Sequence, residues 1–271
     1  DYNSEFYSNA TQNINVTGNF YSFSTTQLIN GAIIFEGAEH IFIPHPDAYY
    51  HDIIFNQSGT VTINQTNTNI LDVRGDIIIN SGVLNAEDCT IKIAGSWLNN
   101  VGEEAFNETG SRVIFNGTTA QFSSTEAFNI LEIDKSIEYL YDMTGSNISC
   151  QVYDWTQGGI WIAGGSNFYA ADLADNGIYG NFVLWSDLIE LHQDASQSID
   201  LHGTLSINGG EFKVYGGMEQ SYWGSNANAG LTMTNGILDF VDQAISIYDQ
   251  APYSFTSTIS GGNKKKKKGF I

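Results

Sequence analysis

Aromatic side chains concentrate between Tyr139 and Trp223. Sugar rings stack on exposed aromatic faces, so Tyr153, Trp155, Trp161, Tyr169, Trp185 and Tyr222 are candidate glycan contacts. The competing reading is core packing, because aromatic residues favour strands wherever they occur. Asp172, Asp175, Asp187 and Asp194 lie in the same acidic region. A hard cation wants several oxygen ligands converging in one loop, and Asp172 with Asp175 is the nearest approach to that. Calcium bridging is therefore the one cofactor chemistry considered, against simple surface acidity. The five histidines are scattered; His45 and His51, near Pro44, Pro46 and Asp47, lack an established metal-ligand spacing.

Catalysis has a weaker footing. Glycoside hydrolysis needs paired carboxylates, and elimination needs a basic residue aided by calcium. Arg74 and Arg112 are the only arginines, and each falls inside a repeated strand. Asp200 matches Asp72 as a repeat element, which suggests a turn role. No nucleophile elbow, zinc-protease helix or phosphate loop occurs. The expectation is a non-catalytic chain.

The composition narrows the partners. Thirty acidic residues oppose ten basic ones for a net charge of −20, and five of the ten form the run Lys264 to Lys268. Such a surface repels polyphosphate, which excludes sequence-independent nucleic-acid binding and argues against an anionic membrane. Yet 42% of residues are hydrophobic and only 15% charged, far too apolar for a disordered acidic tail. No stretch approaches the roughly 18 apolar residues of a membrane span, so membrane insertion is not expected. Cys89 and Cys150 have no metal-type spacing and are read either as one disulfide or as two buried thiols. The acidic, Asn-, Thr- and Gly-rich composition suggests an extracellular protein. A start at Asp1 suggests a processed chain or a piece of a longer one.

The elements that would position these residues are short alternating runs closed by Gly or Asn, the signature of strands and turns. Val61 and Ile63, Ile91 and Ile93, Val113 and Phe115, and Phe212 and Val214 would all face inward. Leu238 with Phe240 and Ile245 with Ile247 follow the same rule.

These runs also repeat. Residues 71–82 align on residues 199–210 without a gap, an offset of 128, and Trp97 and Trp223 fall in matching places at 126. Residues 32–37 match residues 112–117 at an offset of 80, with flanking matches at 77 and 78. Residues 205–210 recur as residues 231–236, an offset of 26. A spacing of roughly 20–30 residues suits one coil of a solenoid. The predicted fold is all-β, a parallel β-solenoid of short coils, with one or more β-sandwiches as the rival. Residues 1–262 read as one irregular repeat domain. Residues 263–271 form a Lys-rich end, where five consecutive lysines cannot pack inward. That end reads as a solvated tail, an engineered scar or a stand-in for unidentified residues.

Four motifs follow in order: Asp-x-x-Gly-x-x-x-Ile-Asn-x-Gly-x-Leu from Asp72 to Leu84, and Ile-x-Ile-x-Gly-x-Trp-x-Asn from Ile91 to Asn99. Then come Val-x-Phe-x-Gly-x-x-x-Gln-Phe from Val113 to Phe122, and Phe-Asn-x-Leu-x-Ile-x-Lys-Ser from Phe128 to Ser136. This order resembles the repeats of large extracellular β-helix proteins of Bacteroidota exported by the type IX secretion system. The resemblance implies a cell-surface adhesin, stalk or filament segment. Its partners would be other segments of the same long chain, neighbouring copies in an assembly, or glycans. A carbohydrate-binding module and a polysaccharide-acting β-helix enzyme are the alternative functions.

Overall fold

The structure is a computed structural model of the whole chain. It describes residues 6–8, 13–22, 26–28, 30–64, 70–119, 121–142, 145–174, 177–178, 181–185, 187–193, 200–201, 204–215, 220–223, 229–241, 244–247, 255–261 and 263–265. The described secondary structure is strand throughout, apart from one 3-10 turn at Glu103–Ala105. All the described strand pairings are parallel, with each strand meeting its counterpart from the next coil. The fold is a parallel β-solenoid. A β-sandwich, built on antiparallel pairs, is excluded. Chain packing divides it into two compact units, Asp1–Leu131 and Glu132–Ile271.

The first unit stacks its strands in three ladders. One runs Ile14–Val16, Ala32–Phe35, residues 52–55, residues 77–79 and Trp97–Asn99. The second runs Phe20–Tyr21, His40–Ile43, residues 61–63, residues 83–85 and Phe106–Asn107. The third contains Tyr49–Tyr50, Ile70–Val73, Thr90–Ile93 and Arg112–Phe115. Alternation decides which residues go inside. Ile33, Ile53, Ile77 and Trp97 stand in register on successive coils, and all four are buried. Phe35 stacks parallel on Phe55 with ring centroids 5.5 Å apart. Between buried Ile91 and Ile93, Lys92 stays partly exposed, beside Asp72 on the preceding coil.

The second unit repeats the plan with three more ladders. Residues 147–153 lead to Asn167–Leu173, Leu188–His192, Glu211–Tyr215, Ile237–Phe240 and Asn263–Lys265. Residues 159–162 lead to Asn181–Leu184, Thr204–Ile207, Ala229–Met233 and Phe255–Ile259. The short strands Gly177–Ile178, Asp200–Leu201, Gln220–Trp223 and Ala244–Ile247 form the third. Register partners in the first of these ladders lie 20, 21, 23, 26 and 26 residues apart along the chain. The coil period lies within the range predicted from sequence.

Residues 32–35 and 112–115 match in sequence but stand in different ladders. Every ladder demands the same alternation and a turn after it, so one strand-and-Gly unit can serve any of them. The lysine run was expected not to pack inward, at a place where another alternating strand would fall. Asn263–Lys265 pairs with Ile237–Phe240 in the register of a further coil, opposing Lys264 to Leu238 along the backbone. Residues 266–268 of the run lie outside the described residues.

Candidate functional site

The repeat motifs carry polar residues at fixed places, and in the first unit those residues bind coil to coil. At one corner, Gly75 N–H donates to His51 O (2.8 Å) and Gly95 N–H donates to Gly75 O (2.9 Å). Beside them Asp52 Oδ1 accepts from Asp76 N–H (2.8 Å), and Asp76 Oδ1 accepts from Ser96 N–H (2.7 Å). A carboxylate one coil below thus satisfies each corner amide that no strand reaches. A β-carbon on Gly95 would run into the Gly75 backbone, so the coils close only with glycine there.

Asparagines form a second column. Asn100 Nδ2 donates to Asn80 Oδ1 (2.8 Å), and Asn80 Nδ2 donates to Asn56 Oδ1 (2.9 Å). Such amide ladders pair like with like along a parallel stack. Gln121, the glutamine of the third motif, is buried. Its Nε2 donates to Ile93 O (2.9 Å) and to Gly95 O, and its Oε1 accepts from Gly117 N–H (2.9 Å). One side chain therefore closes three buried backbone groups.

Sequence reasoning missed Glu126, which is fully buried. Its Oε2 accepts from Trp97 Nε1 (2.8 Å) and Asn99 Nδ2 (2.8 Å), and its Oε1 accepts from Ala127 N–H (3.1 Å). Trp97 packs edge-on to Phe106 and Phe128 around it, at 4.7 and 5.6 Å between ring centroids. Burial pushes the Glu126 carboxyl up to about 8. The hydrogen bonds from Asn99, Trp97 and Ala127 oppose that rise, and the nearby Glu103 adds to it. The only signal in the sequence was the Trp-x-Asn pair, read as packing.

In the second unit the candidate aromatics separate. Tyr153 is buried, with its ring against Phe168 at 5.6 Å and Phe182 at 5.9 Å. A ring enclosed that way cannot stack on a sugar, so Tyr153 is a core residue. Trp155 is partly buried and donates from Nε1 to Gly158 O (3.1 Å) within its own turn. Trp161 and Trp185 come together, their rings nearly parallel at 6.4 Å and 18°, with Trp185 51% exposed. Tyr169 is 40% exposed and belongs to another ladder. The Tyr222 side chain lies outside the described residues.

Asp172 stands opposite Val152 in a strand and is partly exposed. Asp175 and Asp194 lie outside the described residues. Among the described residues, no group of three or more His, Cys, Asp or Glu converges as a metal site would require. Both cysteines are buried free thiols. Burial pushes the Cys89 thiol up to about 12, with Asp88 adding to the rise, and raises Cys150 as well.

The outward face around Tyr169 is organised by register. Ser149, Tyr169, Glu190, Lys213 and Asp239 follow one another on five coils. His192 lies opposite Tyr215, and the two rings stack parallel at 4.3 Å and 3°. Tyr169 also meets His192, its ring tilted 52° from the imidazole at 5.1 Å. His192 Nε2 lies 2.8 Å from Glu190 Oε1, and Lys213 Nζ lies 3.3 Å from Glu211 Oε2. Sequence reasoning had singled out Tyr169 alone, because coil-to-coil neighbours 23 residues apart look unrelated along the chain. No family model, no curated protein and no solved structure matches this chain.

Proposed function

We propose that this chain is a structural and adhesive segment of a large extracellular bacterial surface protein, a stalk, filament or adhesin module without catalytic activity. The observation that carries the reading is the use of the motif residues. Gly75, Asn80, Gly95, Asn99 and Gln121 all enter coil-to-coil contacts, and none of the five is left over to assemble a reactive cluster. Stacked parallel coils satisfy their backbone along the axis, which suits a chain that must hold its form outside a cell. The motif order resembling type IX cargo of Bacteroidota supports the same placement.

Antibodies raised against the chain, applied to intact cells of the source organism, test this. Labelling without permeabilisation, together with weaker surface attachment after in-frame deletion of the segment, is the expected result. Labelling only after permeabilisation, or release of reducing sugar from polysaccharides by the purified chain, would overturn it.

A further inference from the structure

We propose that the outward face carrying Tyr169, Glu190, His192 and Tyr215 binds an uncharged glycan, a chain of neutral pyranose rings laid along successive coils. The proposal rests on the adhesive half of the reading above and supplies its ligand class.

A neutral pyranose offers two kinds of surface, an apolar C–H face and a rim of hydroxyls. His192 and Tyr215 stack on adjacent coils, Tyr169 on the coil before leans against His192 at 52°, and Tyr169 leaves 40% of its surface open to solvent. Aromatic surface of that kind accepts the apolar face of a sugar. Parallel strands lie about 4.8 Å apart, so the three coils that carry these rings give a track of about 10 Å. That length suits a run of about two sugar rings rather than a single one.

The polar groups on the track select for an uncharged chain. Glu190 is held by His192, and Glu211 by Lys213. Groups paired in this way have fixed orientations and offer carboxylate oxygens and N–H donors to hydroxyls at little ordering cost. They do not offer an unmatched cationic patch, which a uronate or sulfate chain would need. The net charge of −20 repels such chains further. The Trp161–Trp185 pair is another exposed aromatic feature among the described residues of this unit, and it lies on a different ladder. It therefore serves as the internal comparison.

The test is isothermal titration of the purified chain with cellohexaose, laminarihexaose, mannohexaose and xylohexaose, and with hexagalacturonate as the anionic probe. Saturable binding of at least one neutral hexasaccharide is expected. Tyr169→Ala and Tyr215→Ala should each weaken it about threefold to tenfold, the worth of one aromatic contact. Trp185→Ala should leave it unchanged. Each variant is checked by its urea midpoint, and His192→Gln, which keeps a donor toward Glu190, covers the case of a Tyr variant that fails to fold. Absence of binding to every neutral probe, binding of hexagalacturonate alone, or loss confined to Trp185→Ala would overturn the proposal. An intact unfolding transition in a chain that binds no sugar sinks this site while leaving the scaffold reading in place.

Discussion

Ile207 and Met233 are register partners on adjacent coils, and both side chains are fully buried. They belong to the column Ile162, Leu184, Ile207, Met233, four residues excluded from solvent, which runs on to the exposed Ile259. Ile207→Ala should therefore cost about 2–5 kcal/mol, since it leaves a cavity between two coils that cannot relax along the stack. Met233→Leu conserves volume and should cost less than about 1.5 kcal/mol. Urea titrations followed by far-UV circular dichroism measure both. Equal midpoints for wild type and Ile207→Ala would remove Ile207 from the load on the core.

The corner glycines predict a steric failure rather than a lost contact. Gly95→Ala places a methyl group against the backbone of Gly75, and a backbone cannot swing aside as a flexible side chain does. The expected loss is about 1–3 kcal/mol. Gly102→Ala is a contrast: nothing approaches its β-position, but its φ of 132° strains any other residue. Both variants should fall below wild type in thermal midpoint. Only Gly95→Ala should also weaken the amide protection of Ser96, whose N–H is bonded to the coil below.

How far these features could be read beforehand depends on their range. Alternation placed Ile91, Phe115 and Val214 inward, because a strand fixes the direction of each side chain from its neighbours alone. The 26-residue repeat placed Ile207 on Met233, because equal coil lengths put equal residues in register. The match of Ala32–Phe35 with Arg112–Phe115 could not tell that the two join different ladders, because local pattern says nothing about which ladder a strand joins. Tyr153 was indistinguishable from Tyr169 in composition, and only the neighbours Phe168 and Phe182 make one of them core. Partners such as Glu126 and Asn99 sit on different coils, 27 residues apart, so no short motif contained them.

Gln121 turns a repeat residue into a measurable linkage. Gln121→Leu keeps the burial but leaves Gly117 N–H, Ile93 O and Gly95 O without this partner. Ile93 O keeps its bond from Asn116 N–H, so the loss is that of the side-chain bonds themselves, about 1–3 kcal/mol in all. Hydrogen exchange should accelerate at Gly117 ahead of global unfolding. Unchanged protection there would show that the side chain merely fills space.

Glu126 makes the stability of the first unit depend on pH in an unusual direction. Its carboxyl titrates near 8 in the folded chain against an ordinary 4.5, so between these values the folded state holds a proton that the unfolded state has lost. This contribution is fully present below about pH 4.5, falls as pH rises, and is gone above about pH 8. Its size is on the order of a few kcal/mol, because ionising a fully buried carboxylate leaves only three donors to replace water. General repulsion among the surface carboxylates adds a slope of the same sign, so the comparison must be with Glu126→Gln, which stays neutral at every pH. Urea midpoints at pH 5, 6.5, 8 and 9 should fall more steeply for wild type than for Glu126→Gln, with the gap opening between pH 5 and 8. Glu103→Gln, which removes the neighbouring charge, should shift the wild-type fall to lower pH-dependent loss without abolishing it. Parallel curves for wild type and Glu126→Gln would mean that the buried carboxyl is already ionised at pH 5 and that its three donors outweigh its burial.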